Sequence, residues 1–112
     1  MKQAKSLGEF EILILAALIR LGDQAYGVAI RDEIESRSGR PVSIGALYPT
    51  LSRLEKKAYV TSSIGEPTAV RGGRAKRYYA LTAHGVKQLE KSSHILFKML
   101  HGLPGWPTGT TS

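Results

Sequence analysis

The residues best suited to chemistry lie in one short stretch, Arg71 to Thr82, which reads RGGRAKRYYALT. Four of its first seven residues are basic and two are glycine, and the run then becomes aromatic and apolar. Arginine and lysine neutralise phosphates, and a glycine lets the backbone approach a surface with no Cβ in the way. The stretch therefore predicts a cationic loop that is carried by a buried strand and meets a polyanion.

The distribution of charge supports the same interpretation. The 112-residue chain carries a net charge of +7: residues 1–42 are neutral in sum, residues 43–81 carry +5 and residues 82–112 carry +2. A localised basic patch is the electrostatic footprint of a nucleic-acid-binding protein. A merely solvated basic surface would have the same composition, so charge alone leaves both interpretations open.

Several classes of protein are disfavoured. The chain contains no cysteine, which excludes disulfides and thiolate zinc sites and fits a cytoplasmic protein. The apolar run Ile12–Ile19 is too short to span a bilayer as a helix. Glu9 and Glu11 stand where a signal peptide would become apolar, so we expect neither secretion nor a membrane.

Catalytic and metal sites are equally unsupported. The three histidines, His84, His94 and His101, lack the spacing of metal ligands. No serine or threonine stands in a recognisable motif with a base and an orienting acid. We therefore expect no enzyme activity, no metal and no cofactor.

Hydrophobic periodicity predicts four helices and one hairpin. The helices are expected over about 7–21, 25–38, 42–58 and 83–101, and the strands over 59–64 and 74–81. Ser6 and Glu9 have the spacing of a capping box for the first helix, and Thr82 can cap the fourth. Gly39 and Pro41 end the second helix. Gly27, near its start, allows close helix packing.

The third helix has one buried and one exposed side. Leu47, Leu51 and Leu54 form the buried stripe, and Pro49 suggests a regular start near Gly45, which would keep the proline close to the first turn. The exposed side carries small polar and basic side chains, with Tyr48 close by. Its members are Ser43, Ala46, Thr50, Arg53 and Lys57.

Helices one and four carry surplus apolar surface. The first helix is apolar nearly all round, which requires cover on more than one side. In the fourth, Val86, Leu89, Ser93, Leu96 and Leu100 are spaced three, four, three and four, as in a heptad seam. The seam could pack on the first helix of its own chain; we favour a second copy, because the first helix is itself incompletely covered.

The order of elements is that of a winged helix-turn-helix: mainly α with a β-hairpin wing, followed by a C-terminal helix. The sequence resembles the PadR family of bacterial transcriptional regulators in LGEFEILILAALIRLGDQAYGVAIRDEIE, VSIGALYPTLSRLEKKAYV and RGGRAKRYYALTAHG. The resemblance covers about residues 7–90. It implies a dimeric repressor that binds a palindromic operator in double-stranded DNA and dimerises through its C-terminal helix. It also implies release by a small aromatic or apolar effector, or autoregulation.

These inferences give a DNA-binding domain over 1–81, a dimerisation helix over 82–101 and a flexible tail over 102–112. Alternatives remain for single residues: Ser43 could be only a cap, Tyr26 and Tyr48 could be core residues, and Arg77 points away from Arg74 and Lys76 by strand alternation. Tyr79 and Leu81 share the Arg77 face and are expected in the core, while Trp106 falls in the tail. The predicted DNA-binding residues are Tyr26, Ser43, Ala46, Tyr48, Thr50, Arg53, Arg71, Gly72, Gly73, Arg74, Lys76 and Arg77. The predicted dimer residues are Leu13, Val86, Leu89, Ser93, Leu96 and Leu100.

Overall fold

The computed structural model describes residues 6–65 and 75–105. Its elements follow the predicted order of three helices, an antiparallel hairpin and a fourth helix, so the predicted fold class is confirmed. They are α1 (Glu9–Leu21), α2 (Gly27–Ser38), α3 (Ile44–Lys56), β1 (Val60–Ile64), β2 (Arg77–Leu81) and α4 (Ala83–Leu100). A 3₁₀ turn, Gly22–Gln24, joins α1 to α2.

The start of α1 differs from the predicted capping box. Gly8 is the N-cap, and its amide donates to the Glu11 carboxylate at 2.8 Å, whereas Glu9 forms an ion pair with Arg40. The helix begins later than expected because the preceding residue, Leu7, is buried and donates its amide to Ser92 Oγ of α4 at 2.9 Å. Leu7 is therefore held against α4.

The core lies where α1, α2, α3 and the hairpin meet. Its fully buried large side chains come from all four: Ile14, Leu15, Ile30, Leu47, Leu51, Leu54 and Val60. The predicted leucine stripe of α3 is confirmed. Tyr79 is buried and Leu81 packs against the core, which confirms the inward face of β2.

The turn between α2 and α3 follows the predicted stop signals. Gly39 has φ of 73°, a left-handed conformation that favours glycine, and its amide donates to the Glu35 carbonyl at 2.9 Å. α3 begins at Ile44, so Pro49 is the sixth residue and lies inside the helix. The Gly45 carbonyl consequently receives no amide from position 49.

A segment outside the hairpin, residues 25 and 26, pairs with β2, which the sequence did not predict. β1 pairs with β2 from Val60 opposite Leu81 to Ile64 opposite Arg77. On the other edge of β2, the Tyr79 amide donates to the Ala25 carbonyl at 2.8 Å, and Tyr26 forms a β-bridge with Tyr78. Residues 25 and 26 were expected inside the second helix. Instead Tyr26 is extended and forms the N-cap of α2, and the Ala25 carbonyl is bonded to β2.

α4 is attached to its own chain only through its first half. Its buried residues are Gly85, Gln88 and Ser92, and a Cβ built on Gly85 would lie 2.1 Å from the Tyr59 carbonyl oxygen. The fully buried positions of this inward face are thus small or polar, and the half-buried Leu89 adds the apolar contact with the core. From Ser93 to Leu100 every residue is exposed, so the second half of α4 leaves the domain.

Candidate nucleic-acid interface

The N-terminus of α3 is capped and exposed. Ser43 Oγ accepts a hydrogen bond from the Ala46 amide at 3.1 Å, which confirms the capping role weighed for this serine. Ser43, Gly45 and Ala46 are all exposed. The end of the helix therefore offers a short, small-residue surface that a groove of DNA can approach closely.

Thr50 does not lie on that exposed surface, and its predicted place there is wrong. Its residue is 4% exposed, its hydroxyl donates to the Ala46 carbonyl at 2.8 Å, and Arg53 Nη2 donates to the same hydroxyl at 3.0 Å. The hydroxyl turns back onto its own helix because the i−4 carbonyl is the nearest acceptor. Thr50 orients Arg53 and is covered by it.

Tyr48 links α3 to the start of α2. The residue is 41% exposed, and a Cβ built on Gly27 would lie 1.9 Å from its hydroxyl oxygen. Gly27 is the first residue of α2, so the tip of the tyrosine ring lies against the N-terminus of that helix. This confirms the prediction that Gly27 permits close packing, and it leaves the exposed side of Tyr48 facing solvent.

The base of the wing is joined to α2 by aromatic contacts. The Tyr26 and Tyr78 rings meet edge to face with centroids 5.7 Å apart, and Lys76 Nζ lies 4.1 Å from the centroid of the Tyr26 ring. The Gly65 amide donates to the Lys76 carbonyl at 2.7 Å and closes the hairpin above β2. Arg71, Gly72, Gly73 and Arg74 lie outside the described residues, as does Trp106.

Arg77 has a different environment from Lys76. Its guanidinium donates to Ser62 Oγ at 3.0 Å, and the Ser62 hydroxyl donates to the Glu55 carboxylate at 2.8 Å. Arg77 thus connects β2 to α3 through β1, on the strand face that also carries Tyr79. Burial raises the pKa of the Tyr79 phenol, and the charge of Arg77 partly opposes this rise.

Most of the described cations of this region form no ion pair with a described carboxylate. Among the described basic residues between 43 and 81, Lys57 alone forms an ion pair with a carboxylate, that of Glu11 at 3.6 Å. The other four are Arg53, Lys56, Lys76 and Arg77. Their positive charge is available to an external polyanion.

Comparison with known proteins identifies the family. Residues 14–91 match the transcriptional regulator PadR-like family. The chain belongs to the PadR-like family. No match was found among the curated proteins. The family comprises regulators of transcription, not enzymes, and its members bind DNA.

Solved structures agree with this assignment. A PadR family transcription regulator from Clostridium difficile is 29% identical with a TM-score of 0.70, covering 88% of this chain and 100% of that chain. A transcriptional regulator from Clostridium thermocellum is 28% identical with a TM-score of 0.68, covering 80% and 81%. RosR from H. salinarum is 30% identical with a TM-score of 0.67, covering 89% and 83%.

The predicted dimer residues of this PadR-like chain fall into two groups. Leu13 and Leu89 are half-buried and pack against the core of their own chain. Val86, Ser93, Leu96 and Leu100 are exposed. The whole seam therefore does not pack on α1 of the same chain, which was the alternative. The role of the predicted residues in a dimer stays a prediction.

Other kinds of site find no support in the part of the chain that the structure describes. Within it, no cluster of three or more His, Asp or Glu side chains could hold a metal ion. Across the same ranges, no helix combines the length and apolar character needed to cross a membrane.

Proposed function

We propose that this PadR-like protein is a dimeric repressor that binds a palindromic operator in double-stranded DNA with sequence specificity. The observation that carries the proposal is one continuous surface formed by α3, the start of α2 and the base of the wing. Tyr48 of α3 contacts Gly27, and Lys76 of the wing contacts Tyr26. That surface contains a capped helix N-terminus and cations that, within residues 6–65 and 75–105, have no carboxylate ion-pair partner. It suits a helix in the major groove flanked by a wing on the phosphates.

Direct reading of bases by α3 should be sparse. The side chains at its N-terminus, Ser43, Gly45 and Ala46, are too short for the two-hydrogen-bond contacts that arginine or asparagine make with bases. DNA shape and bridging water should supply part of the specificity. Tyr48 and the cations of the wing then supply contacts to the backbone, which position the helix without reading sequence.

Dimerisation is supported by the second half of α4. Leu96 is 52% exposed, Phe97 57% and Met99 72%, and together with Ile95 and Leu100 they form an apolar surface that their own chain leaves uncovered. A two-fold partner would cover the seam and place two α3 helices in successive major grooves, about 34 Å apart. In this proposal residues 1–81 act as the DNA-binding unit and residues 82–101 as the dimerisation helix.

The same helix supports a role for an apolar effector. Phe97 and Met99 lie off the seam of Val86, Leu89, Ser93, Leu96 and Leu100, so pairing along the seam would leave apolar surface beside it. A small aromatic or apolar molecule bound there could change the spacing of the two α3 helices and release the operator. A repressor of this kind acts in the cytoplasm, where the chromosome lies.

The rival function is nonspecific DNA binding, which the small side chains of α3 would also permit. The test compares the affinity of the protein for DNA from upstream of its own gene with that for a scrambled duplex at one salt concentration. We expect a ratio on the order of 10³ or more. Equal affinities would establish the nonspecific rival, and no salt-dependent binding to either duplex would overturn the proposal.

The wing provides a second check on the same duplexes. Arg74→Ala and Lys76→Ala should weaken binding to both, and each should reduce the salt dependence by about one phosphate contact per subunit. If either change relaxed the preference at one base pair and left the salt slope unaltered, that residue would read a base, contrary to the assignment.

A further inference from the structure

We propose that Tyr26 is a positioning residue that holds Lys76 at the base of the wing and does not itself contact DNA. The inference rests on the proposed function for its consequence, since Lys76 is taken as a phosphate contact. It replaces the expectation that Tyr26 belongs to the DNA-binding set.

The backbone of residues 25 and 26 joins β2 to α2, because the Tyr26 carbonyl, at the N-cap of α2, accepts the Ile30 amide at 2.9 Å. The Ala25 carbonyl accepts the Tyr79 amide at 2.8 Å, and Tyr26 and Tyr78 form a β-bridge. Tyr26 itself is extended, with φ of −112° and ψ of 167°. Its side chain is therefore carried on a strand-like segment at the edge of β2, beside the residues that lead into the wing.

The ring of Tyr26 is held from one side. It meets the Tyr78 ring edge to face with centroids 5.7 Å apart. Tyr78 is in turn backed by Gly65, where a built Cβ would lie 2.5 Å from Tyr78 Cε1. Because glycine leaves room for that ring, the two tyrosines form a fixed platform across the base of the hairpin.

Lys76 lies over the Tyr26 ring. Its Nζ is 4.1 Å from the centroid of the Tyr26 ring, within the range of a cation–π contact. Its carbonyl accepts the Gly65 amide at 2.7 Å, which fixes its backbone. Among the residues the structure describes, it has no carboxylate ion-pair partner.

The choice of an aromatic partner has a functional consequence. A carboxylate would orient the ammonium group but would also cancel its charge, whereas a ring orients it and leaves the charge for a phosphate. A lysine that is already ordered loses less side-chain freedom when it binds. Removing the ring should therefore weaken DNA binding about threefold, although the ring touches no DNA.

The first test needs no DNA. Ring currents should displace the Lys76 ε-methylene proton signals upfield from those of other lysines in the NMR spectrum of the wild-type protein. The displacement should persist in Tyr26→Phe, which keeps the ring, and vanish in Tyr26→Leu. A Lys76 signal at the common lysine position in the wild-type protein would overturn the proposal.

The second test is a double-mutant cycle on DNA affinity, with thermal unfolding of each variant to confirm that it is folded. Tyr26→Phe should bind as the wild type, Tyr26→Leu about threefold more weakly, and Tyr26→Leu should have no further effect once Lys76→Ala is present. Equal losses for Phe and Leu would show that the hydroxyl contacts DNA. If Tyr26→Leu reduced DNA affinity by the same factor in the Lys76→Ala background, Tyr26 would not act by positioning Lys76.

Failure of the proposed function and failure of the positioning role would give different results. If the wild-type protein showed no salt-dependent binding to DNA, the proposed function would be overturned, and the NMR comparison would still decide whether Tyr26 holds Lys76. If the wild-type protein bound DNA normally and the cycle were additive, only the positioning role would be lost.

Discussion

At the N-terminus of α2, Tyr26, Tyr48 and Lys76 each contact another residue of the same chain, whereas from Ser93 to Leu100 no residue of α4 is buried. The first region is polar and cationic, and its side chains are oriented before any partner arrives. The second is apolar, with Phe97 and Met99 more than half exposed. One region is thus preorganised for a charged ligand, and the other lacks the partner that would cover it.

This contrast indicates how the two regions would depend on each other. A preorganised surface binds a phosphate backbone with little loss of side-chain freedom, but a single copy makes few contacts. An uncovered apolar helix gains free energy by pairing, and pairing would place two copies of the first surface on one duplex. A change in the α4 surface should therefore be measurable as a change in DNA affinity.

The largest effect is expected from Leu96→Glu. A carboxylate in the proposed seam would be buried without a partner on dimerisation, at a cost of several kcal/mol. Sedimentation should show monomer or aggregate, and affinity for a two-half-site duplex should fall at least about a hundredfold through loss of bivalency. His94→Glu, on a different face of the same helix, is the matched control and should remain dimeric. A dimeric, tightly binding Leu96→Glu variant would remove α4 from the interface.

The next effect concerns the contact between Tyr48 and Gly27. Gly27→Ala should displace the tyrosine, because the new methyl group would occupy the position of its hydroxyl. The free energy of unfolding should change little, because the ~1 kcal/mol that alanine gains over glycine in helix propensity offsets the cost of displacing the tyrosine. DNA affinity should fall about tenfold if the hydroxyl bonds a phosphate.

The partner variant decides how Gly27 acts. With Tyr48→Ala already present, Gly27→Ala should cause no further loss of affinity. Tyr48→Phe separates the hydroxyl from the ring: a loss similar to that of Gly27→Ala would identify a phosphate contact, and no loss would show that only the ring is needed. Dimerisation, measured by sedimentation, should be unaltered in all three, because α4 is not involved.

A smaller effect is expected from Thr50→Val, which keeps the shape of the side chain and removes its hydroxyl. The hydrogen bond to the Ala46 carbonyl and the acceptor for Arg53 are lost, so the free energy of unfolding should fall by about 1 kcal/mol. Chemical denaturation measures this change, with Ser52→Ala on the exposed side as control. Unchanged stability together with a large loss of DNA affinity would return Thr50 to the DNA-contacting set.

The smallest effect is a dependence of stability on alkaline pH. Burial raises the pKa of Tyr79 above its value of 10.0 in the unfolded chain, so the folded state keeps the proton more strongly. Its contribution is complete below pH 10.0 and is lost as pH rises through the higher folded pKa. As pH rises through this range, the denaturation midpoint of the wild-type protein should decrease. It should decrease less in Tyr79→Phe. An identical pH profile for the two proteins would contradict the shift.

The sequence predicted the elements that depend on long periodic patterns. The leucine stripe of α3 and the inward face of β2 are confirmed, because burial of an apolar stripe requires no knowledge of neighbours. Thr50 was placed wrongly because it stands beside Leu54 at the edge of that stripe in helical projection, where local hydrogen bonding decides exposure. Periodicity carries no information on that choice.

Two features depended on contacts distant in sequence. The pairing of Ala25 and Tyr26 with β2 joins residues more than fifty positions apart, and the local sequence around them continues a helical pattern. α4 presents Gly85, Gln88 and Ser92 to its own chain, although its apolar seam gave the stronger signal. Gly85 leaves room for the close approach of the Tyr59 backbone, a contact that only the folded chain reveals.

The central claim is that two α3 helices read one operator from a two-fold dimer, and hydroxyl-radical footprinting on DNA upstream of the protein's own gene tests it most directly. We expect two protected half-sites related by a dyad and centred about one helical turn apart, ~34 Å along the duplex. Protection without dyad symmetry, or half-sites separated by a non-integral number of turns, would contradict the paired-helix arrangement even if binding were tight.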